Sequence, residues 1–174
     1  MRFDYLILLA ASPLSLAVLS PATAQTSAGS PLINYNGFMK LTSEVAPIRE
    51  GRLIPLADFK TRGAKPETLI LDARSAQAFA EGHIEGAVNL PLPDFTVSSL
   101  AAVIGANPDR EILIYCNKNF INDRAPIPTK KLELALNIQT FINLYGYGYR
   151  NVYELSEAVD MDAPQVGWVP GAAS

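Results

Sequence analysis

Three short apolar runs constrain this chain more than anything else in it: Thr68–Leu71 (TLIL), Ile112–Tyr115 (ILIY) and Asn151–Leu155 (NVYEL). They suit strands covered on both faces rather than strands with one wet face. Helical segments separate them. Ser75 is placed to cap a helix over Ala76–Glu81, and a second fits Val97–Ile104 with Gly105 ending it. In a third, Leu134, Ile138, Phe141, Ile142 and Tyr145 share one face, with Gly146 as the stop. Arg52–Ile54 and Gly86–Leu90 are shorter strand candidates, and Pro55–Thr61 reads as a helix opened by proline. This alternation predicts an α/β domain, a parallel sheet between two helical layers.

The ends of the chain differ from its middle. Leu6–Val18 is mostly apolar, Arg2 precedes it, and the small-x-small triplet Ala22-Thr23-Ala24 follows. The run is short for a membrane span. Residues 1–24 therefore read as a secretory signal peptide, which implies export, with a bacterial periplasm as the expected location. About 150 residues remain, enough for one domain. Residues 25–51 read as a leader followed by a helix capped by Asn36, with Phe38, Leu41 and Val45 on one face and Pro47 limiting it. The tail, 160–174, is rich in Pro, Gly and small residues and reads as loose coil; whether Trp168 folds back is open at this stage.

Composition excludes several functions. The formal net charge is −3 and basic residues form no stripe, so nucleic acid is a poor partner. No second long apolar run exists, so no membrane association is expected once the leader is removed. One cysteine and one histidine allow neither an internal disulfide nor a Cys/His zinc cluster, and no metal or cofactor is expected. Cys116 is left for packing, for an intermolecular bond or for chemistry. It directly follows a strand, and ligands of parallel sheets bind at the carboxyl ends of strands.

LDARSAQAFAEGHIEGAVNLP, Leu71–Pro91, resembles the first signature of the rhodanese-like domain. ILIYC is similar to that family's strand leading into its catalytic cysteine, and YGYRNVYEL to its final helix-turn-strand. The resemblance covers about Arg52 to Leu155, within a domain bounded at 52–159. It implies a three-layer α/β/α fold with a five-stranded parallel central sheet. It also implies a sulfurtransferase in which Cys116 takes sulfane sulfur from an anion such as thiosulfate, holds it as a persulfide and yields it to a thiol acceptor. Backbone N–H groups of Asn117, Lys118, Asn119, Phe120 and Ile121 would cradle the anion, with Lys118 or Arg124 assisting. Asp72 and Arg74 would tie loops together, and His83 would pack the turn after Gly82.

The loop after Cys116 departs from the family pattern. Asn119 stands where Gly is common, and Asn is the next-best residue for a left-handed conformation, so a turn can still form there. Ile121 stands where a polar or basic residue is common. The stretch from Asn117 to Glu133 is longer than usual, and Pro126 and Pro128 forbid a helix through it, so the following helix is expected to be displaced from the cysteine. Lys118, Arg124, Lys130 and Lys131 spread positive charge along it. Ala78 replaces a usual Glu, so Arg74 needs another partner. A Cys-x5-Arg phosphatase loop is not matched, because Asn122 occupies the arginine position. The alternative to catalysis is a binding module on the same fold, or a thiol switch forming a mixed disulfide.

Overall fold

The computed structural model describes residues 32–171. The signal peptide expected at 1–24 lies outside the described residues, as does most of the leader. Five strands form one parallel sheet: β1 (Leu53–Ile54), β2 (Leu69–Asp72), β4 (Ala87–Asn89), β5 (Ile112–Tyr115) and β6 (Val152–Leu155), in the order β1-β6-β5-β2-β4. Two of the three apolar runs form β2 and the central β5, where every residue is buried, and the third forms β6 beside them.

Alternation along these strands sorts side chains into two cores. Leu69, Leu71, Ile112, Ile114 and Val152 face α1 (Tyr35–Glu50), α4 (Val97–Ile104) and α5 (Leu136–Gly146). Ile70, Leu113, Tyr115 and Leu155 face the opposite side, where α2 (Leu56–Gly63) contributes Leu56 and Phe59. Helix α3 (Ala76–Glu81) is short and buries no side chain; its Ser75 cap accepts from the Ala78 N–H at 3.2 Å. The central β5 ends at the boundary of both cores, and that is where Cys116 emerges.

Several expectations need correction. Helix α1 is capped by Asn34, not Asn36: the Asn34 side chain accepts from the Gly37 N–H at 2.7 Å. Pro47 sits inside it without ending it, because Val45 is buried and Arg49 is held by a buried carboxylate, which fix the last turn from outside. In α5, Leu134 lies before the helix and is exposed, while Gly146 is its last residue; the chain reverses at Gly148, where φ is +100°. The tail is not loose coil. Met161 and Val166 are buried, and β7 (Trp168–Pro170) pairs antiparallel with β3 (Gly82–Ile84). Trp168 stacks edge-on against Phe120 and lies over the Arg74 guanidinium. The indole packs so closely on Gly82 that a Cβ there would come within 2.6 Å of it.

Candidate active site

Cys116 leaves β5 in extended conformation (φ −148°) and a single 3-10 turn, Asn117–Asn119, follows at once. That turn aims the Lys118 N–H at the Cys116 sulfur, 3.4 Å away. The first turn of α5 lies beside the cysteine: Leu136 lines the same cavity as Cys116, and the backbone N–H groups of Leu136 and Asn137 draw the thiol's pKa down. The displaced helix expected from the long intervening loop is therefore not observed. The loop absorbs its extra length by its own anchors. Ile127 is fully buried in the α2-side core, the Asn117 side chain donates to the Pro128 carbonyl at 2.9 Å, and Asp123 accepts from the Thr129 N–H. The N-terminus of α5 is free to return to the cysteine.

Burial pushes the Cys116 thiol up from its ordinary range, and the nearby Glu154 charge adds to this; the N–H groups of Lys118, Asn137 and Leu136 oppose it. A thiol raised by folding favours the folded state while it stays protonated. That contribution is present below the unfolded value of about 8.5 and is lost as pH rises through the higher folded value. Tyr115, raised well above its ordinary range chiefly by burial, acts in the same direction. The urea midpoint should thus fall as the solution is taken into the alkaline range, and Cys116→Ser should flatten part of that fall. An alkaline slope unchanged by the substitution would remove Cys116 from this account.

Behind the cysteine runs a chain of buried polar groups. The Asn119 side-chain oxygen accepts from the Cys116 N–H at 2.9 Å and from the Asn137 side chain at 2.9 Å. Asn137 also donates to Glu154 at 3.0 Å, and Glu154 is clamped by both arms of Arg49 at 2.6 and 2.5 Å. Helix α1 is coupled in this way to the first turn of α5. Removing the Arg49 guanidinium leaves a buried carboxylate with only an amide partner. Arg49→Ala should cost on the order of 2–4 kcal/mol by urea unfolding, less than a fully buried pair because the arginine is partly exposed. A loss below about 0.5 kcal/mol would place this pair among ordinary surface contacts.

On the open side of the sulfur lies a cavity of about 510 Å³. Of the residues expected to meet substrate, Cys116, Asn117 and Lys118 line it. The others do not. Asn119 is buried with negative φ, its side chain turned into the polar chain just described. Phe120 is core, edge-on to Tyr115 and Trp168. Ile121 is exposed, and its N–H is engaged by the Val159 carbonyl. Arg124 pairs with Asp162 on the surface. The cause is the bridge between Phe120 and Val159, which draws the chain away from the sulfur after one turn. Backbone donors past Lys118 are consumed within the fold: Asn119 N–H by the Cys116 carbonyl and Phe120 N–H by that of Asn117.

Arg74 also lines the cavity, besides tying loops together as expected. Its Nε and Nη2 are held by the fully buried Asp72, and Nη2 donates to the Gly82 carbonyl at 2.7 Å. Asp72 receives the Tyr115 hydroxyl as well, at 2.6 Å. His83 stacks on Phe79 and its Nδ1 lies 3.0 Å from the Phe79 carbonyl, away from the cavity lining. Arg49, Leu136, Asn137 and Glu154 were not singled out from sequence. The available signal was weak: an Asn near the start of an apolar helix, and one Glu inside a buried strand.

A family profile described as the rhodanese-like domain matches residues 56–160. The chain belongs to the rhodanese-like domain family. Among solved structures, this rhodanese-like chain is similar to the rhodanese-like domain of the Alr3790 protein from Anabaena, with 22% identity over 62% of this chain and 69% of that one and a TM-score of 0.44. It is similar to the BH2092 protein from Bacillus halodurans, with 19% identity, 72% and 77% coverage and a TM-score of 0.45. It is also similar to the human single-domain sulfurtransferase TSTD1, with 18% identity, 62% and 90% coverage and a TM-score of 0.44. No curated protein matches the chain significantly.

Proposed function

We propose that this rhodanese-like protein is a sulfurtransferase with Cys116 as nucleophile. The observation that carries the reading is a thiol at the end of a parallel strand, with the Lys118 N–H 3.4 Å from its sulfur, in the lining of a cavity that it shares with Arg74, Lys118, Lys130 and the start of α5. Amides at a helix N-terminus stabilise a thiolate, and they stabilise a terminal persulfide sulfur for the same reason.

The thiol first loses its proton to solvent. The thiolate attacks the outer sulfur of thiosulfate, the sulfur–sulfur bond breaks, sulfite departs with the bonding electrons, and Cys116 holds the persulfide. A thiophilic acceptor then takes the outer sulfur and Cys116 is released as thiolate. Because burial keeps the resting thiol protonated at neutral pH, the rate of the first step should climb with pH into the alkaline range. Release of thiocyanate from thiosulfate and cyanide tests the reading: the wild type should produce it and Cys116→Ala should not. Equal rates for both proteins would overturn it. A binding module is the rival reading, favoured by the 2% exposure of Cys116 and its raised thiol. A wild type inert to every sulfur donor would select it.

A further inference from the structure

Helix α1 precedes the profile match at 56–160, yet its last turn is joined to the cysteine by buried polar groups. On β6, Glu154 stands opposite Ile114, two residues before Cys116 on the neighbouring strand. Val152 and Glu154 share a face by alternation, so the Glu154 side chain enters the layer between the sheet and α1 and α5. It is buried there, a costly place for a carboxylate without a partner. Arg49 supplies the partner from the last turn of α1, with Nε and Nη2 on the two carboxylate oxygens. Asn137 donates both to Glu154 and to Asn119, which in turn accepts the Cys116 N–H. The Asn137 side-chain oxygen accepts from no described residue, so those two acceptors alone orient the amide. Other charge near the cysteine is accounted for. Arg74 after β2, Lys118 in the turn and Lys130 in the long loop line its cavity, and Asp72 is taken up by Arg74. Asp123 and Glu133 in that loop are exposed, and the Glu157 carboxylate accepts the Leu56 N–H. On α1, Glu44 meets Tyr145 and Glu50 is exposed; α4 and α5 carry no charged residue. Glu154 is the carboxylate whose charge opposes loss of the thiol proton.

We propose that Arg49 and Glu154 are positioning residues for Cys116: Arg49 keeps the Glu154 carboxylate paired on the buried side of the cysteine, and Asn137 carries that geometry to the turn that holds it. The pair governs how readily Cys116 gives up its proton; its part in sulfur transfer rests on the sulfurtransferase reading. Unpaired, the carboxylate holds the thiol protonated. Without the carboxylate, the guanidinium is left to favour the thiolate. A helix outside the matched domain thereby sets the reactivity of the cysteine within it.

Alkylation of Cys116 by iodoacetamide, a neutral reagent, reports the thiolate and needs no sulfur donor. Its rate on the full chain is followed by intact mass between about pH 6 and 10, a range that brackets an ordinary thiol. The midpoint of rate against pH should move up in Arg49→Gln and down in Glu154→Gln. At about pH 7.5 the first should react roughly threefold more slowly than the wild type and the second roughly threefold faster. Arg49→Lys, which keeps the charge, should return the midpoint most of the way. Loosening of the fold would instead scale the rate alike at every pH and leave the midpoint in place. Should Arg49→Gln not fold, Glu154→Gln decides alone, since the partly exposed Arg49 can turn to water. Midpoints unmoved, or moved in the same direction by both substitutions, overturn the proposal. Charging by thiosulfate is a separate readout and should follow the same order. A protein whose midpoints move as stated but which never charges would strike the sulfurtransferase reading and leave the hold of the pair on the thiol standing.

Discussion

Asp72→Ala should destabilise the protein by about 3–5 kcal/mol, read as a lowered urea midpoint, because it strands a charge in the core. Asp72 has no exposure and Arg74 only 3%. The carboxylate accepts the Arg74 backbone N–H, its Nε and its Nη2, and the Tyr115 hydroxyl. Removing it leaves the guanidinium with the Gly82 carbonyl and a long contact to Asn117. The Tyr115 hydroxyl keeps only its role as acceptor for the Ile84 N–H. The double substitution Asp72→Leu with Arg74→Met should recover much of the loss, since replacing a buried pair by apolar groups is often near neutral. A single-substitution loss under about 1 kcal/mol would show the pair to be no more than a surface-type contact.

Asn119→Ala should cost about 2–4 kcal/mol and should slow persulfide formation as well, although Asn119 does not touch the cavity. One side chain satisfies four groups. It accepts from the Cys116 N–H and Asn137, and donates to the Leu155 and Glu157 carbonyls at 2.6 and 3.1 Å. Without it, the turn holding the Lys118 N–H on the sulfur loses its anchor, and so does the Asn137 side chain at the start of α5. Asn119→Gly separates two accounts of the position. A residue valued for left-handed backbone would be improved by glycine. Asn119 has negative φ, so glycine should do as badly as alanine or worse. A glycine variant with wild-type stability and charging rate would contradict the hydrogen-bond account.

The fold was legible wherever structure depends on local pattern. Buried strands showed as unbroken apolar runs, and the caps at Ser75 and Gly105 stand where the residue types place them. Cys116 was legible as a candidate because the end of a central parallel strand is where ligands gather. What stayed hidden depends on partners distant in sequence. The Arg49–Glu154 pair spans helix and strand from opposite ends of the domain. Strand β7 exists because β3 offers it an edge and Gly82 leaves room for the indole. The approach of α5 to the sulfur was misjudged because chain length between Cys116 and Leu136 was read as distance. A loop anchored at Ile127 and Pro128 covers many residues and little space. Phe120 and Ile121 were assigned to the site by position in the loop, yet one bridge to Val159 turns them out of it.

The central claim is that the sulfur of Cys116, held under backbone N–H groups at the end of β5, carries a transferable sulfur atom. Intact mass of the purified protein after incubation with thiosulfate, beside Cys116→Ser, tests it most directly. The account predicts a gain of one sulfur atom in the wild type, reversed by a reducing thiol and absent from the variant. A wild type that gains nothing from thiosulfate or from polysulfide, or a variant that gains as much, would contradict it.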